Sequence, residues 1–171
     1  GVNYGLLVNY LYNDMAYAGA SMVAVFVYLA VQLSSLFLAL CGILEIFLSV
    51  PLAFAVYSLL GFRYISFLQF MGVFIIMGIG ADDIFVLADA WKQSAQQPPA
   101  ISGSLETRFA WAYARAATSM LATSFTTCAA FAACAISPIW DIKCFGVVNA
   151  CMVLADYLLV ITWMPAVILF D

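Results

Sequence analysis

The sequence predicts an all-α membrane protein, a bundle of five transmembrane helices. The first observation behind this prediction is composition: 67% of the 171 residues are hydrophobic and 8% are charged, against about 25% charged in a soluble domain. The second is a mean hydropathy of +1.11. The third is that the apolar residues form long runs rather than the alternating stretches of a membrane β-barrel, which favours helices.

Five apolar runs are each long enough to cross a bilayer, which takes about 20 residues. The first follows a stretch rich in Tyr and Asn, residues that suit the membrane interface. Short turns, QLSS at 32–35 and GFRY at 61–64, make the first three helices successively antiparallel. The predicted helices cover residues 15–31, 36–60, 65–91, 108–136 and 144–170. Together they form one transmembrane domain over residues 1–171.

The largest polar stretch, KQSAQQPPAISGSLET at residues 92–107, is predicted to be a solvated loop because it is rich in Pro, Ser and Gln. Basic residues favour the cytoplasmic side of a membrane protein. Lys92, Arg108 and Arg115 lie on the side of this loop, against Arg63 and Lys143 on the other side. Three basic residues against two predict that the loop is cytoplasmic.

Several classes of function are disfavoured by what the sequence lacks. It contains no His, which excludes His-based metal sites and Ser-His-Asp triads within these residues. Five Lys and Arg residues make no basic patch for nucleic acid. The five Cys lie mostly inside apolar runs and are interpreted as small packed hydrophobes. The sequence shows no combination of a nucleophile and a base that would indicate an enzyme. The start at Gly1, without Met, suggests a piece of a longer polypeptide.

The motif GIGADDIFVLAD at residues 78–89 places two adjacent acids, Asp82 and Asp83, inside an apolar helix. Each ionised carboxylate there costs about 2.5–3.5 kcal/mol on insertion scales. Burial and mutual repulsion therefore favour a bound proton or cation at the pair. Gly78 and Gly80 would let another backbone approach beside it. The alternative is an interhelical polar pair that only guides packing.

Other polar residues within the apolar runs are candidates for accessory roles. Glu45 lies six residues before Pro51 and is either a second relay group or a satisfied structural acid, and the role of Asp156 in the fifth helix stays open. The fourth helix carries a ladder of hydroxyls, of which Thr123, Thr126 and Thr127 are the accessory candidates. The full ladder comprises Ser119, Thr123, Ser124, Thr126 and Thr127. These hydroxyls either coordinate a cation or serve as packing contacts between helices.

The motif around the paired acids resembles a known transporter superfamily. Gly78, Asp82 and Asp83 fit the GxxxDD pattern of resistance–nodulation–division (RND) transporters and their Patched-type relatives, and the five-helix layout resembles a sterol-sensing domain. Within that group the chain is similar to Dispatched-type sequences. The similar stretches are GADDIFVLADAW, SMLATSFTTCAAFAA at 119–133, IKCFGV at 142–147 and ITWMPAV at 161–167.

The resemblance implies the second to sixth helices of a twelve-helix protein whose paired acids face an acidic residue in the other half. In that family, protons or sodium ions drive the movement of sterols, lipids or lipid-modified proteins. By this resemblance Asp82 and Asp83 are the ion-coupling acids. The implied partners are membrane lipid or sterol, the second transmembrane half and the extracellular domains.

No resident cofactor is expected beyond the coupling ion or a bound sterol. The implied location is the plasma membrane or a related membrane, such as a ciliary or endosomal one. Two alternatives remain at this point. One is a non-transporting sterol sensor or scaffold, and the other is a degenerate transporter that anchors a larger membrane assembly.

Overall fold

The computed structural model describes the backbone of residues 4–64 and 67–170, and the side-chain surroundings of residues 16–64 and 68–169 except 18 and 100. Within these ranges the chain is helical and contains no strand, which confirms the predicted all-α class. The helices are α1 (Tyr4–Leu33), α2 (Leu36–Leu59), α3 (Phe67–Ser94), the short α4 (Pro99–Ser102), α5 (Leu105–Ala133) and α6 (Trp140–Phe170), and a 3-10 turn (Cys134–Ile136) follows α5.

The helix bounds differ from the predicted ones mainly where polar residues that were predicted to lie outside the helices are helical. α1 begins at Tyr4 rather than near residue 15, so the Tyr- and Asn-containing stretch belongs to the helix. The predicted loop at 92–107 is shortened from both ends and contains α4, which begins at Pro99, since proline is favoured in the first turn of a helix. α6 begins at Trp140, four residues before the predicted start.

Four helices within the described residues are long and apolar enough to cross a membrane. They correspond to α2, α3, α5 with its 3-10 turn, and α6. The first predicted span lies in α1, whose apolar part within the described residues is Gly19–Leu33.

Local signals explain the reversals between helices. The Ser35 hydroxyl accepts a hydrogen bond from the Leu38 amide (3.4 Å), which caps the first turn of α2. The Ser104 hydroxyl caps α5 in the same way by accepting from the Thr107 amide at 3.2 Å. Gly61 has φ +88 after α2, a left-handed conformation that glycine adopts without strain.

α6 lies at the centre of the bundle and packs against α2, α3 and α5, while α1 packs on α2 and α3. Close approach depends on glycines that face neighbouring helices. A methyl group on Gly42 of α2 would lie 2.8 Å from Ile84 of α3, and one on Gly72 of α3 would lie 2.5 Å from Asn149 of α6. These glycines allow α3 to pack closely against α2 and α6.

Many large apolar side chains face outward from the bundle. In a soluble protein an exposed apolar surface of this extent would promote association. In a bilayer the lipid chains match it, and a helical bundle satisfies its backbone hydrogen bonds internally. The arrangement is therefore that of a membrane protein. Examples of these outward side chains are Val23, Val27, Leu40, Leu44, Phe47, Phe70, Phe74, Phe125 and Leu158.

Candidate functional site

Asp82 and Asp83 lie in the second half of α3 and point to different surroundings. Successive residues of a helix are separated by about 100° around its axis, so adjacent acids cannot face the same neighbour. Asp83 is turned into the bundle and is only 4% exposed. Asp82 is exposed on the outer side of α3. Asp83 therefore faces the interior of the bundle, and Asp82 faces its surface.

Asp83 of α3 is hydrogen-bonded to α5. Its carboxylate Oδ2 accepts a hydrogen bond from the Ser124 hydroxyl at 3.3 Å. On α3 its neighbour Ile84 is fully buried and packs against Gly42 of α2, which fixes the rotation of α3 about its axis. The inward direction of Asp83 is thus set by apolar packing on the residue beside it.

Asp82 opens into a groove of about 320 Å³ between α1 and α3. Since a water molecule occupies about 30 Å³ in the liquid, the groove can admit a hydrated cation. The Lys92 ammonium group donates to the Gln32 carbonyl and joins the two helices at one end of the groove. The edge of the Tyr28 ring packs on the Phe85 ring, with centroids 4.9 Å apart, and forms part of its wall.

The two glycines of the motif have different surroundings. Gly80 is buried, and a methyl group there would lie 2.8 Å from Ile46 and 2.8 Å from Asp156 Oδ1. Gly78 is exposed and has no atom within 4 Å of where a methyl group would be. Gly80 thus admits α2 and α6, whereas Gly78 lies four residues before Asp82 on the same open face of α3.

Glu45 and Asp156 are the other acids in the bundle interior, at 1% and 0% exposure. Glu45 comes from α2 and Asp156 from α6. Both lie close enough to Asp83 for their charges to interact with it. The structure therefore brings three acids, one each from α2, α3 and α6, into the same interior region. Their accessory roles remain predictions.

The accessory candidates of the hydroxyl ladder on α5 lie away from the acids. The hydroxyls of Thr123, Thr126 and Thr127 donate to carbonyl groups of their own helix. Their cation-coordinating role remains a prediction to which the structure adds no contact.

Ser124 is the hydroxyl that reaches Asp83; it belongs to the predicted hydroxyl ladder but was not among the accessory candidates singled out from it. The signal for it was a four-residue spacing along α5. Side chains at that spacing form the buried face of the helix, which comprises Ala112, Ala116, Met120 and Ser124.

Replacing Ser124 with Ala is expected to lower the free energy of unfolding by about 1–2 kcal/mol, because Asp83 loses its hydrogen-bond donor in the bundle interior. Thr126→Ala is the matched control, since that hydroxyl is exposed and bonds its own helix. Its expected change is below about 0.5 kcal/mol. Thermal or denaturant unfolding in detergent measures both variants. Equal effects of the two substitutions would contradict the role assigned to Ser124.

Comparison with known proteins adds independent information on this bundle. The sequence matches the Patched family, described as Patched SSD, over residues 9–170. It is 35% identical to mouse protein dispatched homolog 1 over 98% of this chain, and 34% identical to Drosophila protein dispatched over 94% of it. It is also 30% identical to human protein patched homolog 2 over 77% of this chain.

The chain covers only a small part of these relatives. It spans 11% of the mouse protein, 15% of the Drosophila protein and 11% of the human patched protein. The family match extends over nearly all of the helices described above, including the paired acids of α3. The chain therefore belongs to the Patched family and is a Dispatched-like sterol-sensing domain of the RND/Patched superfamily.

Proposed function

We propose that this chain is part of an ion-driven membrane transporter of the Dispatched type. Protons or sodium ions bound at Asp82 and Asp83 drive the movement of a sterol, a lipid or a lipid-modified protein. The chain contributes transport rather than catalysis. Its immediate partners are membrane lipids and a second transmembrane half with extracellular domains.

The observation that carries this proposal is the division of the two acids between interior and surface. Asp83 is buried with a single hydroxyl donor, and Asp82 faces a groove wide enough for a hydrated ion. Packing alone requires neither the second acid nor its insertion cost of about 2.5–3.5 kcal/mol. A cation that enters by the groove reaches Asp82 first and then has Asp83 as its next oxygen ligand.

The open face of α3 supports the presence of a second half. Gly78 and Asp82 lie one helical turn apart, both are exposed, and nothing in the described chain covers the space above Gly78. A helix from the other half can approach at Gly78 and bring its acid towards Asp82. The completed site would hold a cation between the two halves.

The energetics of ion movement suit the extraction of a lipid. One elementary charge that crosses 100 mV releases about 2.3 kcal/mol, so a few ions supply the work of removing a lipid anchor from a leaflet. The apolar outer faces of α1, α2 and α3 offer the contact surface for sterol or lipid. We place the protein in the plasma membrane or a related ciliary or endosomal membrane.

Replacement of external sodium, together with titration of external pH, tests the proposal and separates the two candidate ions. In cells that express the full-length protein, cargo release is expected to fall at least several-fold when one of the two gradients is removed. Loss on sodium replacement alone identifies sodium, and loss on collapse of the proton gradient alone identifies protons. Release that persists at normal levels without either gradient would contradict an ion-driven mechanism.

A further inference from the structure

Glu45 and Asp156 are the two most buried acids among the described residues. They are 1% and 0% exposed, and none of their four carboxylate oxygens accepts a well-formed hydrogen bond within the described part of the chain. An unpaired buried carboxylate is unfavourable when ionised, and burial of two side by side is more so. Some additional species must therefore neutralise this pair in the folded protein.

Gly80 of α3 lies against side chains of both α2 and α6 beside these acids. A methyl group on Gly80 would lie 2.8 and 2.9 Å from the two oxygens of Asp156, and 2.8 Å from Ile46, the neighbour of Glu45 on α2. Asp156 is also the charged group that acts most strongly on Glu45. Three helices thus converge here, and the missing side chain of Gly80 leaves the room that the Asp156 carboxylate occupies.

The polar groups nearest to the pair do not neutralise it. The Ser49 hydroxyl lies beside Asp156 and donates a hydrogen bond to the Ile46 carbonyl at 2.7 Å, and as a neutral group it supplies no positive charge. Asp83 is the ionisable group that faces the pair from α3, and its charge is of the same sign.

α5 also packs on α6, and its ionisable side chains there are engaged with the backbone. The Cys128 thiol is directed at the Ala150 carbonyl (3.7 Å), and the Tyr113 hydroxyl donates to the Ile161 carbonyl (3.2 Å). Neither group supplies a positive charge to the acids.

The five basic residues are all committed elsewhere. The guanidinium groups of Arg108 and Arg115 lie 4.7 and 5.3 Å from the ring centroids of Trp91 and Trp111. Lys143 lies over Trp140, and Lys92 donates to the Gln32 carbonyl. Arg63 lies in the turn after α2, where it lines a separate surface pocket with Tyr57 and Phe62. Among the described residues, no basic side chain is thus placed as a counter-charge for Glu45 and Asp156.

We propose that Glu45 and Asp156 form a proton-holding site between α2 and α6, separate from the ion-coupling pair on α3. One carboxyl takes up a proton from solution and becomes a neutral acid. The pair then carries one negative charge instead of two. A proton fits this site better than a metal ion, since the described residues contain no group of three acid or thiol side chains arranged to hold a metal.

The site has a consequence for Asp83. The negative charge of Asp83 acts on both Glu45 and Asp156, and an electrostatic interaction is mutual. Release of the proton therefore adds a negative charge that strengthens cation binding at Asp83, whereas uptake weakens it. The protonation of Glu45 and Asp156 therefore affects cation binding at Asp82 and Asp83. The proton-holding site itself does not depend on the transport function proposed above.

Infrared spectroscopy of the purified full-length protein tests this proposal directly. A protonated carboxyl group gives a C=O stretch that shifts in D2O, and the wild type is expected to show such a band at neutral pH in the presence of sodium. Glu45→Gln and Asp156→Asn are each expected to remove it. Glu106→Gln replaces an exposed acid of α5 and is expected to retain it. Asp82→Asn combined with Asp83→Asn is also expected to retain it, which separates this site from the coupling pair.

Three results would overturn the proposal. The first is absence of the band in wild-type protein at neutral pH. The second is its persistence in both Glu45→Gln and Asp156→Asn. The third is a band that appears only when sodium is withdrawn, because the pair would then hold sodium rather than a proton. If both variants fail to fold, the wild-type spectrum alone decides, since a sodium-insensitive protonated carboxyl is required there.

Discussion

Replacing both Asp82 and Asp83 with Asn is expected to reduce cargo export to background while the protein stays folded and inserted in the membrane. Asn keeps the shape of Asp but cannot carry the negative charge that binds a cation. Because insertion of two ionised acids costs about 5–7 kcal/mol in total, their neutral replacements are not expected to impair insertion. The measurement is cargo released into the medium per unit of full-length protein at the cell surface.

The matched control for this prediction is Glu106→Gln. Glu106 is an exposed acid in the first turn of α5 and lies outside the groove that Asp82 lines. Export by this variant is expected to stay within about twofold of wild type. Normal export by the Asp82 and Asp83 double variant, at normal abundance, would rule out an ion-coupling role for the pair.

Gly80→Ala is expected to lower the free energy of unfolding by about 1–3 kcal/mol, the usual cost of overpacking a close-packed interior. The added methyl group would meet the Asp156 carboxylate at 2.8 Å and the Ile46 side chain at the same distance, and both neighbours are buried. Relief requires α2 or α6 to move away from α3, which also disturbs Asp83. Unfolding by heat or denaturant in detergent measures the loss.

The control for Gly80 is Gly19→Ala in α1, where a methyl group would have no atom within 4 Å. That substitution is expected to be neutral or slightly stabilising, because Ala has the higher helix propensity. Equal stability of the two alanine variants would contradict the close contact of α2 and α6 with Gly80.

The helical fold could be predicted from the sequence because long apolar runs leave few alternatives in a bilayer. The ends of helices were harder to predict, since they depend on polar residues that suit both a helix and a loop. α1 extends back to Tyr4 through such residues, and Pro99 begins a short helix inside the predicted loop. Hydropathy alone does not distinguish a helical interfacial stretch from an irregular one.

The candidate site is a prediction from the sequence, whereas its geometry could not be predicted in this way. Two acids in an apolar helix are conspicuous, and a separation of about 100° shows that they face different ways. Which of them is buried depends on how Ile84 packs against Gly42 of another helix. In a chain with apolar residues on every face, hydrophobic periodicity gives little indication of which side is inward. For the same reason Ser124 was not separated from its neighbouring hydroxyls.

The positions of Glu45 and Asp156 are the clearest example of what could not be predicted from the sequence. As single acids in separate apolar runs they fit either a relay or a structural role. Asp156 of α6 and Ile46, the neighbour of Glu45 on α2, both lie against Gly80 of α3, and this packing of α2 and α6 on α3 has no signature in local sequence. The sequence alone therefore could not relate the positions of the two acids.

The most direct test of the central claim, that Asp82 and Asp83 bind the driving ion, is ion movement itself. Full-length protein is reconstituted into lipid vesicles, and entry of labelled sodium or of protons is followed after a gradient is imposed. The wild type is expected to move one of these ions faster than protein-free vesicles. The Asp82→Asn, Asp83→Asn double variant is expected to fall to the protein-free rate. Equal ion movement by the double variant and the wild type would contradict the claim.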